Sequence, residues 1–460
     1  MTLADAIPGL ERISGPVTRP GDPDYDAARQ TFNGTVDRHP AVIVGCLTVD
    51  DVVTAVRAAR AAGPSIAVRG GGHGVAGHAM ADGALVVDLR RMRSVTVDSA
   101  ARQARVAGGA LWEDVDRATL EHGLATTGGT FVDTGVAGLT LTGGIGHLMG
   151  TAGFTCDNVV GAQVVTADGS VVVAGGDGDQ ELLWALRGGG GNFGVVTEFV
   201  FSLHPLGPIH AGGYTVPVDD AEGALVVAAD IARSAPGELM LIGVGPTTQL
   251  RPLPGEDPVG PSEFLRISGV FQGALTAAEA TLAPLRDLPG AVGGLMPMTY
   301  DVVQGITGTL PFGLRNYWKG HFLRDLEPGA AGAVADAMRN VPGGHSLLLI
   351  ESIGGRAREE PLGGASFGQR EARWNVSALG IWEDPAEDAT QIAWVRETVD
   401  GLRPWSYSGA GYGNYAPVDE TADRVRAGFG DERYARLREI KRRYDPDNVF
   451  RHNLNIPPAD

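Results

Sequence analysis

Five glycines and two histidines stand in the thirteen residues Val68–Met80, VRGGGHGVAGHAM. Glycine loses more freedom on folding than any other residue, so a helix or strand here would be poorly supported. The stretch reads instead as a loop shaped by backbone. Gly72, Gly74 and Gly77 fit the G-x-G-x-x-G pattern of a dinucleotide-binding turn, and Asp88 ends a later strand near the place of a ribose carboxylate. That pattern needs a helix opening on its glycines, with the pyrophosphate at the helix N-terminus. Here VAGHAMADGALVVDL brings more glycine and then a strand. Two readings remain, a structural turn or a nest of N–H groups around a diphosphate. A second loop, TTGGTFVDTGVAGLTLTGGIGHLMG (Thr126–Gly150), favours the nest. Its small residues let backbone approach a ligand, and two such loops suit an elongated dinucleotide.

The 460 residues exceed what one core holds, roughly 250–300, so two domains are expected. A net charge of −18 repels phosphate backbones, which argues against a nucleic-acid partner, while backbone N–H groups can still hold a cofactor's phosphates. Cys46 and Cys156 make no disulfide framework, and Cys46 sits in an apolar strand. No His/Cys/Asp set has metal-ligand spacing, so no metal is expected. MTLADAIPGL lacks a basic n-region, and no apolar run reaches the ~20 residues needed to span a bilayer. A soluble cytoplasmic protein with no membrane partner is expected.

Up to Pro205, strands alternate with helices. AVIVGCL, SIAVR, ALVVDL, SVTVD, QARVAGG and GVVTEFVFSLHP read as strands, and AQVVTADGSVVVAG as a hairpin turning at Asp168-Gly169. DDVVTAVRAARAAG, LWEDVDRATLEHG and DQELLWALRG read as helices. Beyond Pro208, helices 221–234 and 276–288 mix with the strands EFLRISGVF, NYWKGHFL, HSLLLIESIGG and ARWNVSALGIW. That pattern predicts an antiparallel sheet covered by helices. The last ~45 residues carry YGNY, an amphipathic helix (Asp431–Arg443) and YDPDNVFRHNLNIPP.

Four motifs in order, RGGGHGVAGHAM, GVAGLTLTGGIGHLMGTAGFTCDNVVGAQVVTADG, LLWALRGGGGNFGVVTEFVF and YDPDNVFRHNLNIPP, resemble the berberine-bridge-enzyme-like branch of the vanillyl-alcohol-oxidase flavoprotein superfamily. The resemblance is strong over 40–205 and 412–458 and weak between. It implies an α+β, two-domain fold. An FAD-binding domain of two α/β subdomains (1–205) would be followed by a substrate domain (206–408) and a returning C-terminal segment (409–460). It implies FAD held by two covalent bonds, 8α-histidyl from His73 and 6-S-cysteinyl from Cys156. Arg69, Gly70, Gly71, Gly72, Gly74, Gly77 and His78 would line the pyrophosphate. Thr130, Gly135, Val136, Gly138, Thr142, Gly143, Gly144 and Gly146 would wrap the ribityl chain and ring. Gly194 and Val195 would touch the adenine side, Asn453 and Asn455 the ring, and Val159 would admit oxygen. Tyr415 would be the catalytic base, supported by Tyr412, and Tyr317, Trp318, His321, Glu351 and Trp374 would face the substrate. The implied activity is oxidation of an alcohol or hemiacetal carbon of a bulky sugar-like or natural-product substrate, with hydride passing to flavin N5 and O2 reduced to hydrogen peroxide. An amine oxidase, or a dehydrogenase with another acceptor, is the alternative. A monomer or homodimer is expected.

Overall fold

The computed structural model describes residues 7–247, 264–306, 308, 309 and 311–460. Residues 1–6, which open the N-terminal reading, and Glu263 of EFLRISGVF lie outside these.

The first sheet contains β1 (Val17–Thr18), β2 (Val42–Gly45), β3 (Ile66–Arg69) and β4 (Leu85–Asp88) in the order β1-β2-β4-β3, with β2 and β3 parallel to β4. Helix Val49–Ala62 makes the crossover from β2 to β3. Thr48 and Asp51 cap its start reciprocally, and Gly63, at φ +93°, ends it in the left-handed conformation glycine tolerates. Its inner face (Val52, Ala55, Val56, Ala59) packs on Val42, Val44, Leu85 and Val87. No helix joins β3 to β4. The glycine loop and three turns fill the interval, so the dinucleotide-turn reading fails on structure as on sequence.

The second sheet is antiparallel. It contains β5 (Val95–Asp98), β6 (Gln103–Ala107), β8 (Val159–Val165), β9 (Val171–Gly175) and β10 (Val195–Ser202), in the order β5-β6-β10-β8-β9. The β8–β9 hairpin turns at Asp168-Gly169 as the sequence predicts. A two-stranded ribbon, β7 (Leu124–Ala125) with β11 (His204–Pro205), closes this part.

The third sheet has seven antiparallel strands in the order β15-β12-β14-β13-β17-β18-β16. They are β12 (Ile209–Pro217), β13 (Leu239–Thr247), β14 (Phe264–Gln272), β15 (Val292–Met298), β16 (Arg315–Leu323), β17 (Leu347–Ser352) and β18 (Trp374–Trp382). Sequence patterning singles out β14, β16, β17 and β18. The other three each carry two internal glycines, which weakens a strand signal. Helices Ala221–Ser234, Leu275–Arg286, Pro328–Arg339 and Asp388–Leu402 bury one face of this sheet in the largest apolar cluster. The opposite face meets the glycine loops.

Helix Asp431–Tyr444 returns the chain to the second sheet. Its fully buried Lys441 is paired with Asp445 at 2.6 Å and donates to the carbonyls of Asn192 (2.8 Å) and Phe450 (2.9 Å). A buried ammonium needs all its donors satisfied, and this set pins the last segment against the 188–194 glycine loop.

Candidate active site

The two glycine loops meet backbone to backbone. A Cβ on Gly71 would lie 2.6 Å from the Gly135 nitrogen, so no side chain fits at this crossing. A Cβ on Gly74 or Gly138 would point into open space. The loops thus make a cradle whose walls are main chain.

One cavity is lined by Gly70, Gly71, Gly72, His73, Gly74, His78, Thr130, Gly135, Gly138, Thr142, Gly194 and Asn453, with Trp318, Tyr412 and Tyr415 across from them. Residues that sequence reasoning passed over also line it, among them Phe131, Thr134, Gly190, Gly191, Val196, Asn414 and His452. The GGGG run at 188–191 was a signal available in the sequence.

The other predicted cofactor contacts fall behind the cavity wall. The Arg69 guanidinium donates to the Ala28 carbonyl at 2.6 Å. Gly77 takes φ +68° in a turn against Val36. Gly143, Gly144 and Gly146 make room for Phe367, Thr155 and the Gly128 carbonyl. Val136 and Val159 are buried in the second sheet's core. Val195 is buried in the first sheet's core, and its neighbour Val196 faces the cavity, as strand alternation requires. Asn455 does not line the cavity either, although its Oδ1, like that of Asn453, is buried without a hydrogen-bond partner.

The His73 ring stacks on Phe32 at 4.4 Å between centroids and 9° between planes. Phe131 lies on it at 6.2 Å, and Phe312 meets it edge-on at 6.0 Å. His73 Nε2 stands 3.5 Å from Asp133 Oδ1, and neither buried atom has a hydrogen-bond partner. His78 Nε2 and Asn453 Oδ1 are buried and unpartnered too. Burial takes His78 down to about 4, so it presents a neutral ring to the cavity. Open glycine positions and orphaned polar atoms in one cavity fit a bound dinucleotide.

Cys156 is placed differently from the expectation. It is fully buried in an apolar cluster with Ile145, Met149, Phe154, Phe322 and Phe367 and does not line the cavity. Its thiol lies 3.6 Å from Asp157 Oδ1, and burial, then Asp157, pushes its pKa far up. A thiol held so strongly protonated is a poor nucleophile. The short helical turn Thr155–Asn158 explains the placement. Thr155 and Cys156 donate their N–H groups to the carbonyls of Gly144 (2.9 Å) and Gly143 (2.8 Å), bracing that loop from behind.

The seven-stranded sheet sorts the predicted substrate residues by strand phase. Glu351 hydrogen-bonds to cavity-lining Tyr415, and Trp318 lines the cavity itself. Tyr317 faces the other way, and its hydroxyl meets Asp419 (3.0 Å) and Arg396 (3.1 Å). Trp374 is buried in the helix-covered core. His321 bonds Ser406 Oγ at 3.0 Å outside the cavity. A one-residue shift reverses a strand side chain's face, so Tyr317, His321 and Trp374 are corrected to packing roles. Asn375, which pairs with Glu351 across β17 and β18, was missed.

Glu351 is 1% exposed. Asn375 Nδ2 donates to its Oε2 at 2.7 Å, and the Tyr415 hydroxyl donates to its Oε1 at 3.2 Å. Burial outweighs these bonds and raises the carboxyl to about 7. Burial and Glu351 push the Tyr415 phenol well above its ordinary value, so Tyr415 is a neutral donor near pH 7. Tyr415 and Glu351 thus form a hydrogen-bonded pair at the cavity wall, with the phenol as donor and the carboxylate as acceptor. Tyr412 has another task. Its oxygen accepts from the N–H groups of Gly144 (3.0 Å) and Ile145 (2.9 Å) and from Asn414 Nδ2 (2.8 Å). Its ring stands edge-on to Tyr415 at 4.8 Å, so it locks the loop and the base together.

Among the described residues no helix is long and apolar enough to cross a membrane, and no group of three His, Cys, Asp or Glu is arranged to hold a metal. Residues 40–175 match the model of an FAD binding domain, and residues 411–457 match the berberine and berberine-like model. (R)-6-hydroxynicotine oxidase of Paenarthrobacter nicotinovorans is 31% identical over 97% of both chains. Aclacinomycin-N/aclacinomycin-A oxidase of Streptomyces galilaeus is 29% identical, over 94% of this chain and 88% of that one. The crystal structure of 6-hydroxy-D-nicotine oxidase from Arthrobacter nicotinovorans superposes with a TM-score of 0.85, covering 97% of this chain and 98% of that one at 31% identity. Cradle, cavity and full-length similarity agree, and this chain belongs to the berberine-bridge-enzyme-like family of FAD-linked oxidoreductases.

Proposed function

We propose that this FAD-linked oxidase removes hydride from a carbon beside an amine nitrogen or an alcohol oxygen of a compact, mainly apolar substrate, and that its FAD is tethered once, through His73. The observation that carries this reading is one cavity lined by both His73 and Tyr415, with Glu351 hydrogen-bonded to Tyr415.

When bound, FAD supplies a two-electron acceptor and a route for those electrons to dioxygen, with hydrogen peroxide as product. The protein supplies position and a proton path. Tyr415 Oη lines the cavity, takes the substrate N–H or O–H proton, and passes its own proton to Glu351 Oε1. Asn375 fixes the carboxylate through the other oxygen. His73 would hold the cofactor, and the Gly71–Gly135 crossing would hold its phosphates against main chain. The apolar set at 156 leaves the tether to His73 alone.

The cavity's aromatic lining, including Phe131 and Trp318, suits a flat ring better than the hydroxyl-rich oligosaccharide that the sequence resemblance favours. The amine reading draws support from the 31% identical nicotine oxidase.

Anaerobic mixing of the purified protein with aryl amines, aryl alcohols and oligosaccharides tests this. Ring-bearing amines or alcohols should bleach the flavin, and air should restore it with release of peroxide. Bleaching by oligosaccharides alone would contradict the proposed substrate class.

A further inference from the structure

We infer that Asp133 is a positioning residue for covalent flavin attachment, holding the proton on His73 Nε2 so that Nδ1 forms the bond. This rests on the His73 tether proposed above.

Three observations place Asp133 in that role. Its Oδ1 and His73 Nε2 face each other at 3.5 Å, both buried and both without a hydrogen-bond partner. A buried donor and a buried acceptor that face each other at this distance are placed to satisfy one another. The ring cannot turn away, because Phe32 is stacked flat on it and Phe131 lies at 6.2 Å. The third observation is register. His73 and Asp133 each lie two residues from the Gly71–Gly135 crossing, on opposite loops, so the backbone contact brings the two side chains together.

Neutral imidazole has one N–H and one lone pair, and the partner of one nitrogen decides which nitrogen keeps the lone pair. An ionised carboxylate only accepts. Asp133 therefore fixes the proton on Nε2 and leaves the lone pair on Nδ1. At 3.5 Å the two atoms need approach by only a few tenths of an ångström to close a hydrogen bond.

The step balances as follows. Nδ1 bonds to the 8α carbon of the flavin, and one C–H bond of the 8-methyl group breaks. The electron pair stays on the isoalloxazine, which is reduced by two electrons, and the proton goes to the reduced ring or to solvent. Dioxygen takes the pair and becomes peroxide. The imidazole, now substituted at Nδ1 and still carrying a proton on Nε2, is a cation, and Asp133 is its counter-charge.

The test separates binding from bonding. Wild type, Asp133→Asn, Asp133→Ser, Asp133→Glu and His73→Ala are expressed and gel-filtered. Total bound flavin is read from native absorbance, and covalent flavin from fluorescence of the denatured chain on a gel. Asp133→Asn and Asp133→Ser should keep bound FAD while their covalent fraction falls at least ~10-fold, and Asp133→Glu should recover part of it. A covalent fraction equal to wild type in either neutral variant, with none in His73→Ala, would overturn the role of Asp133 alone. Parallel loss of bound and covalent flavin in both neutral variants, without recovery in Asp133→Glu, would also overturn it by showing a merely structural residue. Covalent flavin in His73→Ala would overturn the tether itself.

Discussion

The glycine cradle and the seven-stranded sheet enclose the same cavity by different means. On the cradle side the wall is main chain. Gly71 and Gly135 cross where no Cβ fits, and Gly74 and Gly138 leave their side-chain space open to a ligand. On the sheet side the wall is made of side chains chosen by strand phase, with Trp318 facing in and Tyr317 facing out. On the proposed reading, the main-chain wall would bind what the cofactor always presents, its phosphates and ring edge. A side-chain wall can be rewritten one residue at a time, so reaction and substrate are set there.

The largest effect that would break this division belongs to the sheet. Glu351→Gln should slow substrate reduction of the flavin by ~10²–10⁴-fold in stopped-flow mixing while leaving bound flavin unchanged. In wild type the reduction rate should rise with pH through about 7, as Glu351 loses its proton, and the variant should lack that rise. The sign for stability is opposite. Glu351's folded pKa lies above its unfolded value, so the stability it contributes is present below the ordinary carboxylate range and is lost as pH rises through about 7.

On the cradle side, Gly135→Ala drives a methyl group into the Gly71 backbone. Binding of FAD in a His73→Ala background, where no bond masks affinity, should weaken by roughly 1–3 kcal/mol, measured by titration. Unchanged affinity would show that the crossing does not shape the cofactor site. The smallest effect on catalysis is expected on the far face of the sheet. Trp374→Phe should lower thermal stability by about 1–3 kcal/mol through the void left in the helix-covered core, with the reduction rate unaltered. A rate loss larger than the stability loss would return Trp374 to the substrate wall.

The same division explains what could be read from sequence. A main-chain site leaves its mark in composition, because only glycine permits the Gly71–Gly135 approach. Both loops and the failed dinucleotide turn were therefore legible. Helix Val49–Ala62 was legible from the helical spacing of its apolar residues and the stop at Gly63-Pro64. A side-chain site on a strand depends on phase, and β16 and β18 are buried on both faces, so hydropathy does not mark which residues face the cavity. Trp318 lines the cavity and Glu351 lies behind it on Tyr415. Tyr317, His321 and Trp374 point to the other face of their strands, and Asn375 was passed over. Cys156 was misread for another reason. Its motif suggested chemistry, while its apolar surroundings include Phe322 and Phe367, residues distant in sequence and outside the motif.

The most direct test of the single tether is acid precipitation of wild type, Cys156→Ser and His73→Ala, followed by spectra of pellet and supernatant. Wild type and Cys156→Ser should carry the yellow chromophore in the pellet, and His73→Ala should release all of it to the supernatant. Chromophore kept by the precipitated His73→Ala chain would contradict the assignment of the bond to His73.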